Sequence, residues 1–397
     1  MRTIDTGWRH RTWILICLGI LLFSLPISAA AEDPVDPWMQ RQTEDLPTDQ
    51  VESYWQSLMK DYGGFFPDGE MPSFMDMLLS NDQGLSLKTV LSGLVKYMWQ
   101  EVLYNGQILV TIVLLSIFSM ILETLQTAFE RKQVSKIAYS ICYMVILVLA
   151  INSFHVAISY ATQAITGMID FMMAMVPLLF TLLASMGNIA TVSVAHPLVV
   201  FMVHTVGTVV HTIVFPMLFF SAVLHIVSSL SETYKLTSLA NLLRTVAMAI
   251  LGILLTVFLG VISVRGIAGS VADGVTLRTA KYLTGNFVPV VGKVFADATD
   301  TVISASLLVK NSIGLVGVII LLFLCAFPAI KILTLALIYN LSAAVMQPLG
   351  SSPIITTLET IGKSMIYVFA ALAAVGMMFF LAITIMLTAG NITVMMR

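Results

Sequence analysis

The chain has 397 residues, of which 58% are hydrophobic and 11% are charged. Soluble domains contain roughly 45–50% apolar and about 25% charged residues. A soluble protein of this length would need far more polar surface, and the composition is also unlike that of a disordered, collagen-like or disulfide-rich chain. The composition therefore predicts a membrane protein that crosses the bilayer several times.

The net charge of −2 conceals an uneven distribution along the chain. Residues 32–82 contain twelve acidic and two basic residues, whereas residues 83–397 contain nine acidic and fifteen basic residues. The chain thus has an acidic polar head and a mildly basic apolar body. No dense basic surface of the kind that binds nucleic acids is present, so we expect no nucleic-acid partner.

The first residues have the features of a secretory signal peptide. Residues 2–11 contain three arginines, and the apolar stretch 13–25 is too short for a typical membrane span. Small residues follow, and they fit cleavage after Ala30 or Ala31. We predict a cleaved signal peptide over residues 1–31, and an uncleaved signal anchor is the alternative.

Either reading places the following acidic segment, residues 32–104, outside the cytoplasm. The segment is too small and too acidic for a catalytic domain, and a docking element or a cap on the membrane surface fits it better. Apolar spacing predicts a short helix over 51–59 and a second helix from about residue 85. Several aromatic residues lie between these helices or within the first: Tyr54, Trp55, Tyr62, Phe65 and Phe66.

Long apolar runs fill two membrane regions, residues 105–264 and 312–397. The runs are 108–125, 137–158, 165–186, 194–230, 246–264, 313–329, 332–346 and 365–386. Their continuous apolar character indicates helices, so the fold class is all-α, with about seven transmembrane helices and a range of six to eight. Pro216 interrupts the longest run and should kink or break it.

The polar segment 265–311 separates the two membrane regions. If the head is outside, the basic residues at 131–136 place their loop in the cytoplasm, and the basic character of 265–311 favours the same side. Lys293, Asp297 and Asp300 share the polar face of a predicted amphipathic helix. This helix is a candidate contact for a partner protein, and packing within the protein's own bundle is an equal alternative.

The chain contains no motif that predicts catalysis. Gly362, Lys363 and Ser364 resemble the end of a phosphate-binding loop, but Thr357 occupies the position that requires glycine. No serine–histidine–aspartate set, paired carboxylates or zinc-protease motif is present either. We therefore expect a protein that is not an enzyme, with no catalytic residues, cofactor or metal. Any ATPase that it needs must be another protein.

Four polar residues are candidates for a polar seam within the membrane: Asp170, His204, His211 and Lys331. Charged groups in a membrane span are costly and commonly functional. The histidines between 196 and 225 would fall on one side of an ideal helix, which suggests interhelical hydrogen bonds or a water-lined crevice. The alternative for the charged pair is that both residues sit at the membrane surface.

Six strings along the chain carry a resemblance to a known family. They are NSFHVAI at 152–158, LRTAK at 277–281, TGNFVPV at 284–290, DATDTVISA at 297–305, QPLG at 347–350 and TAGN at 388–391. Together they make the chain closely similar to the stage III sporulation protein AE family of endospore-forming bacteria. The likeness is weakest in the acidic head.

This resemblance implies a function that composition alone does not indicate. Members of the family belong to the mother-cell stage III A assembly, a channel or secretion-like apparatus in the membrane that surrounds the forespore. The implied partners are the other stage III A proteins, including a cytoplasmic ATPase, membrane lipid and, through the complex, a forespore protein. The apparatus supports late forespore gene expression under sigma factor G and forespore integrity.

Two other functions remain open from the residues themselves. A self-sufficient transporter for a small solute would have its own substrate site, often between broken helices in two related halves. The similarity around Pro177 and Pro289 is too thin to establish such a repeat. A membrane-stabilising assembly factor without conduction is the third reading.

Overall fold

The computed structural model describes residues 48–66, 74, 77, 87–128, 132–230, 235–287, 291–349 and 353–395, so the predicted signal peptide at 1–31 lies outside the described residues. Within these ranges the regular structure is helical and contains no strand, which confirms the all-α class. The helices are α1 Asp49–Tyr62, α2 Leu87–Ala128, α3 Lys132–Ser185, α4 Ile189–Val209, α5 Phe215–Leu230, α6 Thr237–Phe287, α7 Val291–Met346 and α8 Pro353–Met395.

Six of the described helical segments are long and apolar enough to cross a bilayer, which confirms a polytopic membrane protein. Six lies within the expected range and is one fewer than the central value. The difference arises because α3 joins the runs 137–158 and 165–186, and α7 joins 313–329 and 332–346. The residues between the joined runs favour helix and include no turn signal strong enough to reverse the chain.

The run 194–230 also forms a single crossing, made of α4, a π-helical turn at Val210–Val214 and α5. Pro216 lacks the backbone N–H that would bond to a carbonyl four residues earlier. The helix therefore widens into a π turn immediately before the proline, and it continues in the same direction. The predicted interruption at Pro216 is thus a local distortion and does not divide the run into two spans.

The long helices pack side by side, with α7 and α8 forming the most extensive pair and α3 lying against both. At one end of the bundle, hereafter the Lys132 end, the Tyr143 hydroxyl lies 2.8 Å from Thr357 Oγ1 and 3.0 Å from Ser229 Oγ. At the other, the 186–188 end, Ser185 Oγ donates to Ser306 Oγ at 3.4 Å. These contacts fix α3 antiparallel to α7 and parallel to α8.

The structure puts the described start of α3 and the polar segment 265–311 at opposite ends of the bundle, whereas the sequence favours one side of the membrane for both. Because 132–185 is one helix, it crosses the bundle once and carries the chain to the opposite end. The α6 residue Asp273 accepts a hydrogen bond from the backbone N–H of Ala190, next to the α3–α4 turn. The polar segment therefore lies at the 186–188 end.

We expect cysteines introduced at Lys136 and Ile189 to react from opposite sides of the membrane. Lys136 lies in the second turn of α3, and Ile189, which is 70% exposed, begins the helix after it. The measurement uses a variant whose native cysteines are replaced by serine, labelled with a membrane-impermeant maleimide in sealed vesicles. Labelling of both positions from one side would mean that residues 132–185 cross the bilayer twice.

Candidate functional site

The head docks onto the middle of the helical bundle through one face of α1. Val51, Trp55 and Leu58, spaced four and three residues apart, are all buried. This spacing places them on one side of the helix, as apolar periodicity predicts. A 3₁₀ turn at Gly63–Phe65 then brings Phe66 against α2 and α7. The polar side of α1, with Asp49 and the other charged residues, remains outward.

Aromatic side chains form the contact between the head and α7. The rings of Tyr62 and Phe327 stack with centroids 3.8 Å apart and planes 4° from parallel. Tyr97 of α2 meets Phe327 edge-on at 5.0 Å, and Trp55 stacks over Phe323 at 6.4 Å. Such pairs add to the burial of apolar area. We call Trp55, Tyr62, Tyr97, Phe323 and Phe327 the aromatic dock.

An ion pair lies beside the aromatic dock. Lys331 Nζ of α7 is 3.8 Å from Glu101 Oε1 of α2, and it also lies 4.9 Å from the ring centroid of Tyr160. Both charged side chains are partly exposed. Burial, followed by the charges of Asp61 and Glu101, raises the pKa of Tyr62.

The four residues of the predicted polar seam do not meet in this chain. Asp170 is exposed on α3, and Lys331 forms an ion pair with Glu101. His204 is exposed on α4, while His211 lies in the π turn and stacks on Phe215 at 6.1 Å. The four side chains therefore lie at separate places on the bundle. Within the described residues there is also no cluster of histidine, cysteine and carboxylate groups suited to a metal ion.

The predicted partner-contact residues are on α7, but their side chains lie outside the described part of the structure. The backbone of α7 runs through Lys293, Asp297 and Asp300 as helix. Their helical spacing therefore agrees with the sequence, and their role as a contact surface stays a prediction.

A fully buried lysine that the sequence did not single out lies near the 186–188 end. Lys310 Nζ donates to the backbone carbonyl of Leu387 at 2.7 Å and to Asn391 Oδ1 at 2.9 Å. Gly390 makes room for the ammonium group, since a Cβ at that position would be 2.5 Å from Nζ. The TAGN string at 388–391 thus supplies Gly390 and Asn391 to the surroundings of the Lys310 ammonium group, and the preceding Leu387 supplies the second acceptor.

A buried carboxylate lies at the same end of the bundle. Asp273 of α6 accepts hydrogen bonds from the backbone N–H groups of Ala190 and Thr191 at 3.0 and 2.9 Å. It therefore satisfies the first turn of α4, whose positive end favours a negative charge. A short side chain from within α4's own N-terminus usually serves this purpose, but here the cap comes from another helix.

Sequence reasoning missed Glu101, Asp273 and Lys310 because each is a single charge next to an apolar run. Nothing in the local pattern separates such a residue from one that reaches the membrane surface. The signal that could have found Glu101 is its spacing of four residues from Tyr97, which places both on one side of α2. The partners of Lys310 and Asp273 are distant in sequence and depend on tertiary contacts.

Replacing Gly93 with alanine should weaken the docking of the head. A Cβ at Gly93 would be 2.7 Å from the ring of Phe66, whereas Gly106, on the same helix, has no neighbour within 4 Å. We expect Gly93→Ala to destabilise the protein by about 1–3 kcal/mol through overpacking. Gly106→Ala should leave stability unchanged or slightly higher. Thermal unfolding of both variants in detergent checks this, and equal effects would contradict the contact.

Comparisons with known proteins agree with the resemblance of the six strings. The chain matches the family described as stage III sporulation protein AE over residues 70–390. It is 52% identical over 358 residues to the stage III sporulation protein AE of Bacillus subtilis (strain 168), covering 90% of each chain. No solved structure matches the chain. A family match over most of the chain and this identity together show that the protein belongs to the stage III sporulation protein AE family.

Proposed function

We propose that this sporulation protein is a non-enzymatic membrane subunit of the stage III A assembly in the mother-cell membrane around the forespore. It contributes to a channel or secretion-like apparatus that sustains late forespore gene expression under sigma factor G and forespore integrity. The other stage III A proteins, including a cytoplasmic ATPase, are its direct partners, and a forespore protein is reached through the complex.

The packed centre of the bundle is the observation that carries this proposal. Large side chains of α3, α7 and α8 are essentially inaccessible within the bundle: Phe154, Met168, Phe171, Tyr339 and Phe379. A solute path through these helices would have to displace a closely packed core. A subunit of this form contributes to a conduit by lining it together with other chains.

The apolar exterior supports a role in a larger assembly. Large apolar side chains are exposed along α6 and α7, among them Ile253, Val264, Leu315 and Leu337. These surfaces can be covered by lipid and by the helices of neighbouring subunits. Of the four residues of the predicted polar seam, the exposed Asp170 and His204 then face neighbouring subunits, whereas Lys331 and His211 keep their contacts with Glu101 and Phe215 of the same chain.

The helix ends that meet at the Lys132 end of the bundle support an ATPase contact there. With the segment 32–104 outside the cytoplasm, α2 runs inward and the basic residues at 131–136 are cytoplasmic. Ser229, near the end of α5, and Thr357, near the start of α8, lie at that same end of the bundle beside Tyr143. The helix that contains Lys293, Asp297 and Asp300 then faces the space between the two membranes, where it meets extracytoplasmic parts of the assembly.

Reconstitution separates this proposal from a self-sufficient transporter. Purified protein in liposomes should give no solute flux above that of empty liposomes, because the centre of a single bundle is closed. Photo-crosslinking from positions 131–136 in sporulating cells should capture a cytoplasmic protein of the assembly. Flux of a small solute through the protein alone would establish the transporter instead. If cytoplasmic proteins were crosslinked only from positions 293–300, the orientation would be the reverse of the one proposed.

A further inference from the structure

The turn between α3 and α4 contains buried polar atoms without partners. Asn188 is 1% exposed, and neither its Oδ1 nor its Nδ2 has a hydrogen-bond partner among the described residues. The Thr191 hydroxyl, three residues later, is 5% exposed and also unpartnered there. Buried polar groups in native proteins are nearly always paired with protein, water or an ion. The unpaired atoms are therefore available to water or to an ion.

The position of Asp273 explains why the Asn188 side chain is free. Asn188 is the residue before the first turn of α4, where an asparagine normally accepts from the backbone N–H groups that follow. The N–H groups of Ala190 and Thr191 instead donate to the Asp273 carboxylate. The Asp273 carboxylate is itself 4% exposed and has no ion-pair partner in the described ranges. A negative charge is thus buried next to an unused amide.

The three groups lie in one small region between α4 and α6. Gly269 precedes Asp273 by one helical turn, so both are on the same side of α6. A Cβ at Gly269 would be 2.5 Å from Thr191 Oγ1 and 3.1 Å from Thr191 Cα, which shows how closely α6 approaches the Thr191 hydroxyl. The end of α3, with its partial negative charge, is adjacent, because Gly187 reverses the chain with a φ of 85°.

We propose that Asn188, Thr191 and Asp273 bind one monovalent metal cation at the α3–α4 turn. The available donors are a carboxylate, an amide oxygen and a hydroxyl, and such oxygen ligands suit hard cations. The formal charge of the set is −1, so a monovalent ion neutralises it, whereas a divalent ion would leave a buried positive charge. This inference is independent of the proposed place of the protein in the assembly.

Binding of radioactive sodium to the purified full-length protein tests the site. Measured in detergent, with choline chloride holding the ionic strength constant, we expect one saturable site per chain. Asn188→Leu combined with Thr191→Val should abolish the binding. Ser193→Ala is the matched control, because the exposed Ser193 hydroxyl donates to the Ala190 carbonyl on the same turn and should not affect binding.

Thermal unfolding provides a second readout that a purely structural role would not reproduce. The unchanged protein should unfold at a higher temperature in sodium chloride than in choline chloride. Asn188→Leu removes two unpartnered atoms, so in choline chloride it should be at least as stable as the unchanged protein, and sodium should add nothing. Absence of saturable binding would overturn the proposal and would mean that water alone occupies the site. Binding that survives in the double variant would also overturn it. So would an Asn188→Leu protein that loses stability equally in both salts.

Discussion

Replacing Lys310 with glutamate is expected to destabilise the protein by about 3–5 kcal/mol, because the buried positive charge and its hydrogen bonds would be replaced by a buried, unpaired negative charge. Lys310 is fully buried, and its ammonium group donates to the Leu387 carbonyl and to Asn391 Oδ1. A carboxylate there would face the Leu387 carbonyl oxygen, and it would gain a donor only if the Asn391 amide turned over to present its Nδ2. Thermal unfolding in detergent and the amount of protein in the membrane measure the effect.

Two further lysine variants separate charge from packing. Lys310→Met keeps an unbranched apolar stem of similar length, so we expect it to cost much less than Lys310→Glu. Lys363 on α8 is 61% exposed and pairs with Glu359 one turn earlier, which makes Lys363→Glu a matched surface control. We expect that control to have little effect. Equal losses for Lys310→Met and Lys310→Glu would show that packing alone accounts for the role of Lys310.

Replacing Phe327 with alanine is expected to release the head and to cost about 3–5 kcal/mol. The Phe327 ring is fully buried and stacks on Tyr62 at 3.8 Å, while Tyr97 packs edge-on against it. Its removal leaves a cavity at the centre of the aromatic dock. The reactivity of a cysteine introduced by Leu58→Cys measures release, since Leu58 is 4% exposed in the docked head.

The control for Phe327→Ala is Phe220→Ala on α5, where the ring is 58% exposed and lies away from the head. Both substitutions are made in a Leu58→Cys protein whose native cysteines are replaced by serine. The introduced cysteine should react slowly with maleimide in the Phe220→Ala protein and rapidly in the Phe327→Ala protein. Equal reactivity in both proteins would show that the head remains bound without the stacked ring.

The sequence contains enough information to predict the helices, because the signal for them is local. Apolar periodicity predicts a helix at 51–59, and the structure has α1 at Asp49–Tyr62. Continuous apolar runs predict the membrane helices and their approximate number. The predicted separation of 137–158 from 165–186 is wrong, since polar residues within a long helix can be accommodated at a bundle surface without reversing the chain.

The contacts between helices could not be predicted in the same way. The pairing of Lys331 with Glu101 joins residues 230 positions apart, and the pairing of Lys310 with Asn391 joins residues 81 apart. Single charges in apolar surroundings suggest polar interactions without specifying partners. The predicted seam groups Asp170 with Lys331 because both are charged residues beside apolar runs, whereas the structure separates them along the helices.

The length of α3 has a consequence for how the protein sits in a cell envelope. Its apolar stretch of 49 residues is roughly 74 Å long at 1.5 Å per residue, more than twice the hydrocarbon thickness of about 30 Å. A bundle oriented along the membrane normal would thus extend well beyond the lipid on one side. Packing of α3 against α7 and α8 buries part of the surface of this extension. The rest of that surface is available for binding other envelope proteins.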